Sequence, residues 1–338
     1  MGLIAALASA VLASAKDLVS KRLAFRLDGT ASTFASFAYA LPFYVLILAF
    51  LYYLGLEMFV LSWAFLLLVL LRAITDTLAE WLKMSAFTYG DVSLVVCFFS
   101  LSPVMMLFTS PLITGDVPSL WGSVAVVLVT IGSLLLVYSP GSWIRKNSGS
   151  EETETRILTN SATEPLNSAA EPLNSAAGSF AAQKKAVILA TCAALFFSLN
   201  SCFDRLAVQK AVPGFETTAP SLDSTVVRAA YSGFAMTLLS ALFLAPLVLG
   251  NKLRLAGLGS NWRGLWLRGL LEASFMICKL SALVYWQAPY VAGFQRFSLV
   301  LSIIGGKVFF KEQDFGRRMA AGILILGGII LIAWLERE

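Results

Sequence analysis

The sequence predicts an all-α integral membrane protein, with ten transmembrane helices arranged as two inverted five-helix repeats. Three observations carry that prediction. The 338-residue chain is 58% hydrophobic and only 13% charged, about half the charged share of a soluble domain. Apolar runs of about 20 residues, the length a helix needs to cross ~30 Å of hydrocarbon, recur along it. The third is a duplication. Leu71-Arg72-Ala73-Ile74-Thr75-Asp76 runs on to Lys83-Met84-Ser85-Ala86-Phe87-Thr88-Tyr89. At an offset of 196 residues, Leu267-Arg268-Gly269-Leu270-Leu271-Glu272 runs on to Lys279-Leu280-Ser281-Ala282-Leu283-Val284-Tyr285. The same offset matches Ser102 to Ser298, Asp116 to Glu312 and Gly132 to Gly328. Two similar halves in a hydrophobic chain are the usual layout of a membrane transporter.

Taken in order, the expected spans are 3–20, 31–54, 66–88, 92–113, 118–138, 186–206, 227–249, 265–286, 290–310 and 319–335. The first resembles a signal peptide, Leu3–Ala13 followed by Ala13-Ser14-Ala15. It has no cationic lead, however, and its counterpart Ala186–Leu206 is internal, so it reads as a helix of the fold. Hydropathy alone would place the third span at about 57–74 and leave Asp76–Lys83 in a loop. The repeat decides otherwise, because 71–89 must occupy the same place as the plausible span 265–286. The apolar stretch before Arg72 then reads as an interfacial lead-in.

Residues 1–140 form the first repeat, 141–185 a linker and 186–338 the second repeat. The linker is rich in Ser, Thr, Asn, Glu and Ala and repeats EPLNSAA at Glu164–Ala170 and Glu171–Ala177. It has too little apolar surface to offset ordering entropy, so disorder is expected there. Five spans per half is an odd number, which inverts the second half against the first. Basic residues gather after spans 1, 5, 7 and 9, among them Lys21, Arg145, Lys184, Lys252 and Arg317. Positive-inside reasoning puts those loops in the cytoplasm and both termini outside it.

Histidine is absent and the four cysteines, Cys97, Cys192, Cys202 and Cys278, lie in apolar runs. That excludes a Cys/His zinc site, removes the commonest general base and reads the thiols as buried small hydrophobes. No metal or other cofactor is expected. The net charge of +5 fits basic loops, and no aromatic-interleaved basic patch suggests nucleic acid. The expected partners are the bilayer, a small-molecule cargo and a coupling proton, with a homodimer left open.

Four residues advance a helix by about 400° and eleven by about 1100°, so Arg72, Asp76 and Lys83 fall on one stripe roughly 16 Å long. Arg268, Glu272 and Lys279 do the same. Each charge in hydrocarbon costs about 2.5–3.5 kcal/mol, so both stripes must face protein or water. Arg72–Asp76 and Arg268–Glu272 have i,i+4 spacing and can neutralise each other. Glu80 is an intrahelical partner for Lys83, whereas Met276 stands at the matching place before Lys279. Lys279 is therefore expected to face a cavity. Gln295-Arg296 lies inside span 9, an expensive depth that suits an anion-binding arginine, with snorkelling as the rival role. Spans 1 and 6 match at an offset near 184: Ser14 to Ser198, Lys16 to Asn200, Lys21 to Arg205. Lys16-Asp17 is a further costly pair, and Asn200 suits a ligand or an interhelical hydrogen bond. Pro42, Pro103, Pro111 and Gly305-Gly306 are expected to break helices, and Gly322, Gly327 and Gly328 to pack span 10 closely.

Gln295-Arg296-Phe297-Ser298, Gly305-Gly306, Phe309-Phe310-Lys311-Glu312 and Arg317 resemble the run at the ends of spans 9 and 10 in two-copy EamA-like proteins of the drug/metabolite transporter superfamily. Leu101-Ser102-Pro103, Gly115-Asp116 and Gly132 are similar to its first-half counterpart, with Asp for Glu. The resemblance covers the chain outside 141–185. It implies ten helices in two inverted repeats, a central cavity lined by spans 1, 3, 4, 6, 8 and 9, and alternating access. It also implies cytoplasmic termini, against the charge count, so orientation stays open. The expected function is secondary transport of a small polar or anionic metabolite. Lys83, Lys279 and Arg296 would hold its negative group, with Gln295, Asn200, Tyr89 and Tyr285 lining the site. Asp76, Glu272, Arg72, Arg268, Lys16 and Asp17 would balance charge or carry the proton. One alternative is export of organic cations or amino acids on Asp76 and Glu272. Another is a membrane scaffold or lipid-handling protein without metabolite turnover, marked by a groove open sideways to lipid. No Gly-x-Ser-x-Gly or HExxH motif supports an enzyme. No Asn-x-Ser/Thr sequon occurs, which favours a bacterial plasma membrane over an organelle membrane.

Overall fold

The computed structural model describes residues 1–24, 29–55, 62–89, 98–137, 176–211, 222–251, 254, 258–301 and 315–335. These form eleven helices: α1 (Gly2–Ala24), α2 (Gly29–Ala38), α3 (Leu41–Tyr53), α4 (Trp63–Tyr89), α5 (Ser102–Ile113), α6 (Leu120–Val137), α7 (Ala176–Lys210), α8 (Leu222–Leu249), α9 (Trp262–Tyr285), α10 (Ala288–Gln295) and α11 (Phe315–Leu335).

The repeat, not hydropathy, locates α4. Trp63–Tyr89 is one continuous helix that carries Arg72, Asp76 and Lys83 in its body, so the apolar stretch before Arg72 is part of the helix and not a lead-in. Three expected spans differ in form. Span 31–54 is split at Tyr39-Ala40, with Pro42 in the first turn of α3, where its missing N–H leaves no bond unmade. The split is also where α9 comes nearest, since a Cβ on Gly269 would strike the Tyr39 backbone. Span 186–206 begins earlier, at Ala176, taking in residues assigned to the linker; 138–175 lies outside the described residues. Span 290–310 breaks at Arg296, which closes α10 before a short helical stretch at 297–301. Gly305-Gly306 lies outside the described residues. The described cysteines are unbridged, and Cys192 is exposed where burial was expected.

The halves interlock. α4 packs on α7 and α1 on α9, while α6 packs on α11. The last contact is reciprocal to the residue: a Cβ on Gly132 would meet Ala321 and Ile325, and one on Gly328 would meet Ala125 and Val129. Each partner is the other's counterpart at the offset of 196. Only a twofold relation between the halves gives such an exchange.

Polarity is turned inside out relative to a soluble protein. Arg72, Asp76, Asp204, Arg205, Arg228 and Glu272 are buried, while Trp63, Leu112, Leu120, Tyr53 and Phe108 are more than two-thirds exposed. That is the distribution hydrocarbon demands. Thr30–Tyr53, Lys184–Lys210 and Ser224–Leu249 are long and apolar enough to cross a membrane, with shorter apolar helices at Gly2–Lys16, Ser102–Ile113, Leu120–Leu135 and Met319–Leu335. α4 and α9 are each over 20 residues long, but their inward charges lower their hydropathy.

Candidate functional site

The antiparallel contact of α4 and α7 brings the first charged stripe against a carboxylate the sequence did not single out. Asp204, fully buried, accepts from Arg72 Nε at 3.2 Å and from Lys279 Nζ, on α9, at 2.7 Å. Arg72 Nη1 reaches Asp76 at 2.9 Å and the Ser240 hydroxyl of α8 at 3.3 Å. Asn200 donates to the other oxygen of Asp76 at 2.9 Å, and the Thr75 hydroxyl reaches the Asn200 carbonyl oxygen. Two cations and two anions thus close a neutral network across four helices. Burying any one of them alone would cost several kcal/mol, roughly, and mutual pairing with hydrogen bonds offsets it. The expected Arg72–Asp76 pair is present, and Lys279, which has no acid one turn away, takes its partner from another helix.

The repeat-related site is built differently. Glu272 accepts from Lys16 Nζ of α1 at 3.2 Å and from the Ser36 hydroxyl of α2 at 3.0 Å. The same ammonium lies 4.3 Å from the centre of the Phe275 ring, within cation–π range. Arg268 does not bond Glu272 as spacing suggested; it donates to the Ser32 carbonyl at 2.9 Å and to the Ser32 hydroxyl. Asp17's side chain lies outside the described residues.

The remaining expected residues do not converge. Lys83 pairs with Glu80 on its own helix and lies 5.4 Å from the Phe197 ring centre. Tyr89 is 41% exposed and packs under Lys185. Tyr285 shares a hydrogen bond with Thr225 at 3.0 Å. Arg296 donates to the Phe99 carbonyl at 3.2 Å, and the neighbouring Gln295 amide nitrogen is buried without a hydrogen bond among the described residues. The lysine side chains of the two stripes, 23% and 12% exposed, are nonetheless turned inward.

Arg205 was known to the sequence only as the counterpart of Lys21. It grips Asp116, on the α5–α6 connection, with two nitrogens and donates to the Leu283 carbonyl at 2.9 Å and to that of Trp286. A cation on the last carbonyls of α9 is favoured by the helix dipole. Beside it, the Ser119 amide donates to the Tyr290 hydroxyl at 3.0 Å. This end of the bundle is tied shut across the halves.

A cavity of about 410 Å³ lies between α2, α4 and α8. Asp76 and Glu80 are its charged lining residues, with the hydroxyls of Thr30, Thr33 and Thr77 and the apolar Phe37, Leu78, Trp81, Leu244 and Leu247. Among the described residues no basic side chain lines it. Trp81 and Leu247 are more than half exposed, so one side of its wall is the outer, apolar face. Among the described residues no cluster of His, Cys, Asp or Glu could hold a metal.

Comparison with known proteins bears on the fold and on the first 138 residues. A crystal structure of a protein 12% identical in sequence covers 99% of this chain and 98% of its own, with a TM-score of 0.63; that likeness concerns the fold alone. No curated protein sequence matches. The EamA-like transporter family matches residues 1–138, in agreement with the drug/metabolite transporter superfamily. Residues 1–138 are thus similar to the EamA-like transporter family, and the buried charge inside an apolar shell is the distribution of a membrane-embedded protein.

Proposed function

We infer that the chain is a secondary transporter of ten spans in two inverted repeats, working by alternating access, and that its cargo carries a positive charge held by Asp76. The cargo class is an organic cation or an amino acid presented by its amino group. One observation carries this reading: among the described residues, the charged lining of the cavity beside the buried network is Asp76 and Glu80, with no basic residue. Lys83 and Lys279, which would have gripped an anion, are already held by Glu80 and Asp204. Arg72 bridges Asp76 and Asp204, so it can release Asp76 to an incoming cation and keep a counter-ion.

Uptake into proteoliposomes of labelled amino acids and organic amines, against anionic metabolites, tests the reading. Asp76→Asn should lower uptake of the amine-bearing cargo by about tenfold or more, the loss of ~1.4 kcal/mol of binding. Lys83→Ala should leave uptake within about twofold, since exposed pairs contribute little. A second reading, an anionic cargo, rests on Arg296, whose described contact is a carbonyl and not a carboxylate. Transport of anionic metabolites that is lost in Arg296→Ala and retained in Asp76→Asn would select it.

A further inference from the structure

The two halves place a carboxylate at equivalent points, and at one of them an ammonium is already bound. Asp76 and Glu272 are related by the offset of 196, and their α7 and α1 partners, Asn200 and Lys16, by the offset of 184. The structure makes both pairings in the same way, Asn200 to Asp76 at 2.9 Å and Lys16 to Glu272 at 3.2 Å. Where the first is an amide, the second is a primary ammonium. It is also held over an aromatic ring at 4.3 Å, and its carboxylate takes a further hydrogen bond from Ser36. Carboxylate, hydroxyl and ring face are what a protein uses to bind an alkylammonium ligand.

On the Asp76 side a carboxylate, the hydroxyls of Thr30, Thr33 and Thr77 and ring faces line open space. Beside Asp76 lies the cavity, with Phe37 and Trp81 in its wall, whereas Glu272 is bonded by Lys16 and Ser36.

We propose that the chain contains two repeat-related ammonium sites, of which the Glu272 site is permanently filled by Lys16 and only the Asp76 site takes cargo. The cargo's bound group is therefore an alkylammonium, and one cargo molecule binds per chain. This rests on the reading of Asp76 as the cargo carboxylate, and it extends that reading to stoichiometry and to the chemistry of the bound group.

The test vacates the second site. In Lys16→Ala the atoms lost beyond Cβ are those of propylammonium, so propylammonium chloride is the probe. Melting of full-length purified protein and equilibrium binding of the labelled amine are measured together. The expected result is one site in wild type, removed by Asp76→Asn, and two in Lys16→Ala. The second should be lost in Lys16→Ala with Glu272→Gln. Lys16→Ala should melt lower than wild type and recover saturably with propylammonium, following RT ln(1 + [L]/Kd). Sodium chloride and propanol at equal concentration should not restore it. If Lys16→Ala is recovered only when propylammonium is present during purification, that too supports the site. Failure to recover it under those conditions, equal recovery with propanol or salt, or recovery that survives Glu272→Gln overturns the proposal. One site in Lys16→Ala alone, at Glu272, with none in wild type would overturn the reading of Asp76 while leaving the Glu272 site standing.

Discussion

Asp76 and Glu272 stand at matching places in the two halves and live in different surroundings. Asp76 shares Arg72 with a second acid, Asp204, and borders an open cavity. Glu272 is enclosed by Lys16, Ser36 and Phe275. The difference teaches that duplication copies the frame more faithfully than the chemistry. The glycine contact between α6 and α11 is reproduced residue for residue, whereas the charge partners have diverged. One half sets its carboxylate between Arg72 and Asn200 beside a cavity, and the other pairs its carboxylate with Lys16 from α1.

The sharpest way to break this contrast is Asp204→Ala. It leaves Arg72 and Lys279 facing one another with only Asp76 between them, and removing one partner of a buried pair costs about 3–5 kcal/mol. Denaturant or thermal unfolding in detergent should show that loss, and it should exceed the loss from Lys16→Met, where volume is kept. Next comes the shared frame. Gly132→Val places methyl groups against Ala321 and Ile325, and overpacking of this kind costs about 1–3 kcal/mol. The counterpart Gly328→Val should cost a similar amount, and a large inequality in the two melting shifts would contradict the twofold relation. The smallest effect is expected from Glu80→Gln. Its pair with Lys83 is partly exposed, so stability should change by under ~1 kcal/mol, while uptake of the amine-bearing cargo should fall by less than in Asp76→Asn.

Much of the architecture was legible because hydrocarbon penalises charge. Arg72, Asp76 and Lys83 had to share an inward face, and the duplicate at Arg268, Glu272 and Lys279 fixed the helix that hydropathy would have misplaced. The site was less legible, since its bonds run between helices and spacing along one helix is silent about them. Arg268 was expected on Glu272 by i,i+4 spacing, yet Lys16 from α1 takes that carboxylate and Arg268 turns to Ser32. Asp204 was missed although a signal existed: Lys279 had no acid one turn away on its own helix, and Asp204 is an acid inside an apolar span. The cavity between α2, α4 and α8 could not be read at all, because which helices leave a gap depends on how the halves dock.

The matched glycines of α6 and α11 bear on motion. A joint whose two sides are the same when the halves are interchanged has equal fit whichever half leans, so a rocking molecule can keep it intact throughout the cycle. Such a joint is an axle. On the proposed alternating-access cycle the moving contacts lie elsewhere, and the Arg205 clamp on Asp116 is one that the cycle would have to open.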